Sequence, residues 1–153
     1  MSAEDRQRRP YVESPVIMTT VRVLSPFVMT YGLFVMFHGA NSSGGGFQGG
    51  TIVAAMVIML AFAYGIQPTT RWLSNNVLIG LGGIGVLTFV GIGLGAILLG
   101  GAFLEYVRYG GVTAAKYGIE LVELSIGAIV ASVLVGLFFA IVNGFEFQWG
   151  EDE

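Results

Sequence analysis

The sequence predicts an all-α integral membrane protein: a bundle of about four transmembrane helices with a glycine-rich loop after the first and no soluble domain. Three observations carry this. Apolar residues make up 54% of the 153-residue chain and charged residues only 11%, whereas a soluble domain carries roughly a quarter charged residues. So little charge requires lipid or neighbouring protein to cover most of the surface. Long apolar runs recur along the chain, and they do not alternate in the ten-residue pattern of a membrane β-barrel.

A spanning helix needs roughly 20 apolar residues to cross a ~30 Å hydrocarbon core. Residues 1–14 are polar and hold Arg6, Arg8 and Arg9. They are read as a retained cytoplasmic N-terminus, because the apolar run behind them is too long for a signal-peptide core and shows no small-residue cleavage site. The membrane domain is expected over 15–143, with helices near 16–38, 51–66, 77–99 and 114–142. The first helix is interrupted by Arg22 and Pro26, and the third carries no charge. Between them lie a glycine and serine loop over 39–50, a turn over 67–76 with Pro68 and Arg71, and a glycine-flanked amphipathic stretch over 100–113. Residues 144–153 are read as an acidic, solvated tail. Trp72, Tyr106, Tyr109, Tyr117 and Trp149 fall at segment ends, the headgroup level that amphipathic rings prefer.

Orientation follows from Lys and Arg. The N-terminal side and the second loop hold Arg6, Arg8, Arg9, Arg22 and Arg71, five of the seven cations. Arg108 and Lys116 lie on the other side. The positive-inside rule then puts both termini in the cytoplasm, with Arg22 snorkelling to the interface.

The third helix holds Gly80, Gly82, Gly83, Gly85, Gly91, Gly93 and Gly95, with Gly100 and Gly101 just beyond it. Glycine lowers helix propensity, so this density implies close approach by other helices. Two partners satisfy it: the other helices of this chain, or a neighbouring subunit.

Ionisable groups inside a bilayer are costly and are functional candidates by default. Glu120 and Glu123 are spaced i, i+3 and share a helix face. Lys116 lies one turn earlier on that face, placed to neutralise Glu120. With a helix starting near Ala114, Glu120 lies about 9 Å along its axis. Acids near a helix N-terminus are also stabilised by the macrodipole, so an interfacial structural role competes with ion handling. His38, the single histidine, is either a hydrogen-bonded interfacial residue or a proton carrier, since an imidazole ordinarily changes charge near neutrality. In the expected topology His38, Glu105, Glu120 and Glu123 all lie toward the outer half, which suggests a polar ion vestibule there.

The loop Asn41-Ser42-Ser43-Gly44-Gly45-Gly46-Phe47-Gln48-Gly49-Gly50 lacks the Gly-Lys-Ser/Thr ending of a P-loop, and no strand precedes it. Its glycines instead suit a tight path at membrane depth, tolerated where it is buried in protein or lines a cavity. The chain has no cysteine, which excludes disulfides and thiolate chemistry. No catalytic Ser/His/Asp set and no metal-ligand spacing is present, so neither an enzyme acting alone nor a cofactor is expected. The acidic net charge of −3 argues against nucleic acid as a partner.

The stretch Ser25-Pro26-Phe27-Val28-Met29-Thr30-Tyr31-Gly32-Leu33-Phe34-Val35-Met36-Phe37-His38-Gly39, followed by Asn41 and Gly44-Gly45-Gly46-Phe47-Gln48-Gly49-Gly50, resembles the MnhB (or MrpB) component of the multisubunit Na+/H+ antiporters. Related subunits occur in membrane-bound hydrogenases and other respiratory complexes. The likeness runs over essentially the whole chain. Where the family often has His-Gly-His-Asn and a proline before the glycines, this chain has Ala40 and Ser43. The resemblance implies a small plasma-membrane subunit without its own active site, packed among other membrane subunits in the lipid bilayer. Separate, larger chains would do the pumping, and this one would line a path for Na+ or H+. The alternative is the equivalent module of a hydrogenase-type complex. A stand-alone carrier ranks last, since no inverted repeat or paired broken helices are visible.

Overall fold

The computed structural model describes residues 14–41 and 43–148. Among them are five α-helices and one 3-10 turn: α1 Pro15–Phe37, α2 Gly46–Tyr64, α3 Ile66–Trp72, α4 Asn75–Leu98, the turn Tyr106–Tyr109, and α5 Val112–Gln148. Four of these, α1, α2, α4 and the 112–142 part of α5, are long and apolar enough to span a bilayer. The protein is a multi-pass membrane protein.

Each span starts or bends where its residues allow. Pro15 occupies the first turn of α1, where its missing N–H costs nothing. Pro26 lies inside the same helix, and the hydroxyls around it stay satisfied within the helix. Ser25 Oγ donates to the Val21 carbonyl at 2.5 Å and Thr30 Oγ1 to the Pro26 carbonyl at 2.7 Å. The other buried or lipid-level hydroxyls do likewise: Thr51 to Phe47, Thr88 to Ile84, Ser125 to Leu121 and Ser132 to Ile129. Hydrocarbon offers no partners, so each polar side chain must find one inside the protein.

Two expected loops are partly helical. Gly46–Gly50, placed in the loop by its glycine content, forms the first turns of α2. Propensity loses to packing there, as the contacts below explain. The turn expected over 67–76 contains α3. Gly65, at φ +98°, breaks the chain between α2 and α3, and its N–H is bonded back to Ala61 O at 3.0 Å. A side chain at that φ would be strained. At the far end α5 continues to Gln148, so residues 144–148 of the expected tail are helical. Its 37 residues extend roughly 55 Å at 1.5 Å per residue, well past a ~30 Å hydrocarbon layer. Arg6, Arg8, Arg9, Ser42, Trp149 and the acids of residues 151–153 lie outside the described residues.

The spans form an open row in the order α1, α2, α5, α4. Burial ranks them the same way: 39% of the α2 span and 33% of the α5 span are buried, against 11% for α1 and 17% for α4. A small core of Ala54, Ala61, Ile66, Leu78, Val135 and Phe139 joins α2 to α5 near the α3 side. At the other end α2 is held by glycine. A Cβ on Gly50 would stand 2.6 Å from Gly127 O of α5, and one on Gly46 would overlap the Glu123 carbonyl. On the opposite side of α2, a Cβ on Gly49 would stand 2.7 Å from Gly32 O of α1. Met36 of α1, 5% exposed, fills the gap beside Gly127.

The glycines of α4 divide by face. Gly82 and Gly85 let α4 approach Ser132, Ser125 and Ile129 of α5, while Gly93 and Gly95 receive Phe103 and Tyr109 from the following loop. Gly80, Gly83 and Gly91 face open space. The prediction is that Gly50→Ala lowers the thermal midpoint in detergent, on the overpacking scale of about 1–3 kcal/mol. Gly83→Ala should leave it unchanged or raise it by no more than the ~1 kcal/mol propensity difference. Equal losses from both substitutions would sink this division of the glycines.

Candidate functional site

The site is built where the end of α1, the start of α2 and the first third of α5 meet. Gly39 follows His38, and a Cβ on Gly39 would collide with all three carboxyl atoms of Glu123. A side chain at Gly39 would therefore displace the carboxyl from this position. The backbone amide of Ala40 hydrogen-bonds the same carboxyl group. A Cβ on Gly45 would lie 3.5 Å from Glu123 Oε1 and 3.3 Å from Gln48 Oε1, so the Glu123 and Gln48 head groups share the N-cap of α2. Gly45 has φ +155° and supplies no side-chain cap. A carboxylate from α5 thus stands where the unpaired N–H groups and positive end of α2 lie. One oxygen, Glu123 Oε2, is buried and has no hydrogen-bond partner among the described residues.

Of the other residues singled out in the sequence, His38 ends α1 with its ring stacked on Phe34 at 4.1 Å and its Nδ1 3.0 Å from Phe34 O. Its carbonyl accepts the Asn41 N–H at 3.1 Å, which fixes the tight turn into the loop. Gly44 passes the side chain and carbonyl of Val35, with 3.1 Å left for a Cβ. Phe47 points outward, 62% exposed, and plays no part in the seat of Glu123. Glu120 is half-buried on α5, close enough for its charge to act on Glu123. The expected neutralisation of Glu120 by Lys116 does not occur: Lys116 is exposed and forms no ion pair among the described residues. At one turn's spacing on the surface, a long ammonium chain gains little from a half-buried partner and stays in water.

Tyr106 and Gln48 were not anticipated as site residues. Tyr106 packs its ring on Gly118, where a Cβ would come within 2.7 Å. Burial pushes the Tyr106 phenol above its ordinary pKa, and the Glu123 charge acts in the same direction. A tyrosine near a segment end reads as an interfacial ring, and nothing in the sequence marks it as a neighbour of Glu123.

Glu105, grouped with the outer acids by topology, has a different task. It accepts the Ala102 N–H at 2.7 Å and pairs with Arg108 at 2.9 Å. The Ala102 hydrogen bond first, and the Arg108 guanidinium second, hold its carboxyl below the usual carboxylate range. Tyr109, next to this pair, donates its hydroxyl to the Ile92 carbonyl of α4. Together these contacts lay the 99–111 loop back against the C-terminal end of α4.

Residues 16–143 match the family model described as a domain related to the MnhB subunit of Na+/H+ antiporters. That match covers most of the chain. The chain belongs to the MnhB family. Among its relatives is a Bacillus subtilis protein, named as the B component of a Na(+)/H(+) antiporter, which is 29% identical over 91 residues, 60% of this chain and 63% of that protein. An uncharacterised Methanocaldococcus jannaschii protein is 29% identical over 91 residues, 34% of its length. A Staphylococcus aureus protein, provisionally named antiporter subunit mnhB2, is 38% identical over 56 residues, 36% of this chain and 40% of that protein. The chain thus spans less than two thirds of the length of each of these relatives. In this MnhB chain, four spans bring the connection after α1 onto an acid of the last span.

The pH behaviour of the Glu105 loop is a prediction with a defined sign. A carboxyl held below its ordinary pKa contributes stability that is present above the unfolded value and lost as pH falls through the folded one. Amide-exchange protection of residues 99–111 should therefore fall on acidification, and Glu105→Gln should remove that pH dependence. Identical profiles for the two proteins would contradict it.

Proposed function

We propose that this chain is a membrane subunit of a multisubunit Na+/H+ antiporter of the cell membrane. In this reading it packs among other membrane subunits of the complex, and Glu123 is the group through which it takes part in ion movement. The observation that carries the role of Glu123 is its buried, unpartnered Oε2 at a junction of three helices. A structural carboxylate is normally satisfied, because a buried polar group without a partner is costly. An orphan oxygen in a seat built from glycines instead suits a group whose state changes.

The subunit reading is supported by the family and by the shape of the row. The edge helices α1 and α4 expose large apolar side chains, with Phe27 at 69% and Leu87 at 74%, and α4 adds glycines that face open space. Lipid alone covers such a face, but glycine on it costs propensity with no packing in return. The names borne by the relatives favour an antiporter over a module of a hydrogenase-type complex. In the orientation set by the cations, both termini lie in the cytoplasm and Glu123, Glu120 and His38 lie toward the outside. Glu120 and His38 flank the seat as secondary members of the ion route, with Lys116 at its exposed edge.

The test is antiport by the assembled complex in vesicles. Glu123→Gln keeps the size and the Ala40 hydrogen bond but removes the charge and the proton. It should lower Na+-dependent proton exchange at least tenfold while the other subunits still co-purify with the tagged chain. Unchanged exchange would remove Glu123 from the route, and a tagged chain that purifies alone would contradict the subunit reading.

A further inference from the structure

We propose that the Glu123 site takes a proton and not Na+. This rests on the reading of Glu123 as part of the ion route and commits that site to one ion. Three features of the seat carry it. The first is the sign of its surroundings. The donors that reach the carboxyl are the Ala40 amide and the N-terminal end of α2, which has only Gly45 at its cap, while Glu120 on α5 and the Gln48 amide oxygen are the acceptors beside it. Broken-helix transporters point helix N-termini at anionic groups, whereas Na+ is held by carbonyls and helix C-terminal ends. A cation placed here would meet the partial positive charge of α2.

The second is space. Gly39 approaches so closely that even a methyl group would collide with the carboxyl, while Gly45 lies beside Oε1 with room for ordinary contact. The oxygen left without a hydrogen bond is itself shut off from solvent. A proton needs no such volume. The third is the ligand set. The neighbours from the packed elements are Glu120 and the more distant Lys116 on α5, Tyr106 on the 3-10 turn, His38 at the end of α1 and the neutral Gln48 on α2. Of these only Glu120 is a second carboxylate.

The step is simple in its balance. The carboxylate takes one proton on an oxygen and becomes the acid, and no other bond breaks. Neutralising the charge weakens its attraction to the α2 terminus and to the Ala40 amide, so the 39–46 connection is held less tightly in the protonated form.

The experiment is pH-difference infrared spectroscopy on the intact, reconstituted complex, comparing wild type with Glu123→Gln at several Na+ concentrations. The expected result is a protonated-carboxyl band in the wild type that is missing from the variant and unmoved by Na+ at fixed pH. A band that Na+ abolishes at fixed pH would overturn the proposal by showing that the cation displaces the proton. The same holds if no band depends on Glu123, since the carboxyl would then not titrate. Both failures are distinct from failure of the ion-route reading, which is shown by full antiport activity in the same variant.

Discussion

The close approach of the α2 backbone to α5 is the constraint on which the rest of the structure depends. Gly46 and Gly50 lie one turn apart on α2 and meet Gly127 and the Glu123 carbonyl of α5, with no room for a Cβ at either position. Small residues four apart are the usual means by which helices approach closely in lipid, where no hydrophobic force drives them together. Here the approach brings the first turn of α2, with its unpaired amides, to the level of an acid on the neighbouring span. Glycine in the opposite direction, at Gly49 against Gly32, fixes α1 to the same turn. Three spans are thereby locked at the N-terminal end of α2, while larger side chains around Phe139 and Leu78 join the row at the other end.

The electrostatics follow from that packing. An isolated carboxylate at this depth is expensive, and the α2 terminus together with the Ala40 amide offsets part of the cost. It does not offset all of it, because Oε2 is left without a partner. Glu105 shows the contrasting design only a short stretch of chain away. Both of its oxygens are used, by Ala102 and Arg108, and the result is a fixed loop. A satisfied acid that closes a turn and a half-satisfied acid that sits in a glycine seat are two different devices, although their side chains are identical.

The spans were legible in the sequence because burial in lipid needs only length and apolarity, and four runs supplied both. Sequence alone could not place the start of α2. Gly46-Phe47-Gln48-Gly49-Gly50 reads as a loop by propensity, and it is helical because tertiary contact with Gly127 and Gly32 outweighs that cost. The short α3 was hidden behind Pro68 in the same way. Glu123 was visible as an intramembrane acid on one face with Glu120 and Lys116. Helix spacing gives that shared face, and only the neighbouring helix decides which side chain is enclosed. Tyr106 and Gln48 reach the site through contacts with Gly118 and Gly45 that no periodicity encodes.

The edges of the row support the proposal that this chain works within a complex. The inner helices α2 and α5 have neighbours on both sides, while α1 and α4 present apolar faces outward, and on α4 those faces include glycines without contacts. Everything at this end of the row turns on the Glu123 carboxyl being held in the glycine connection at the α2 terminus. Solid-state NMR on the reconstituted complex, with carboxyl-13C glutamate and amide-15N alanine, measures that seating. A short carbon–nitrogen contact between Glu123 and Ala40 is expected, and it should disappear in Glu123→Gln. Dephasing that is the same in both proteins would show that the carboxyl is not seated in the loop, and the site would not be the one described.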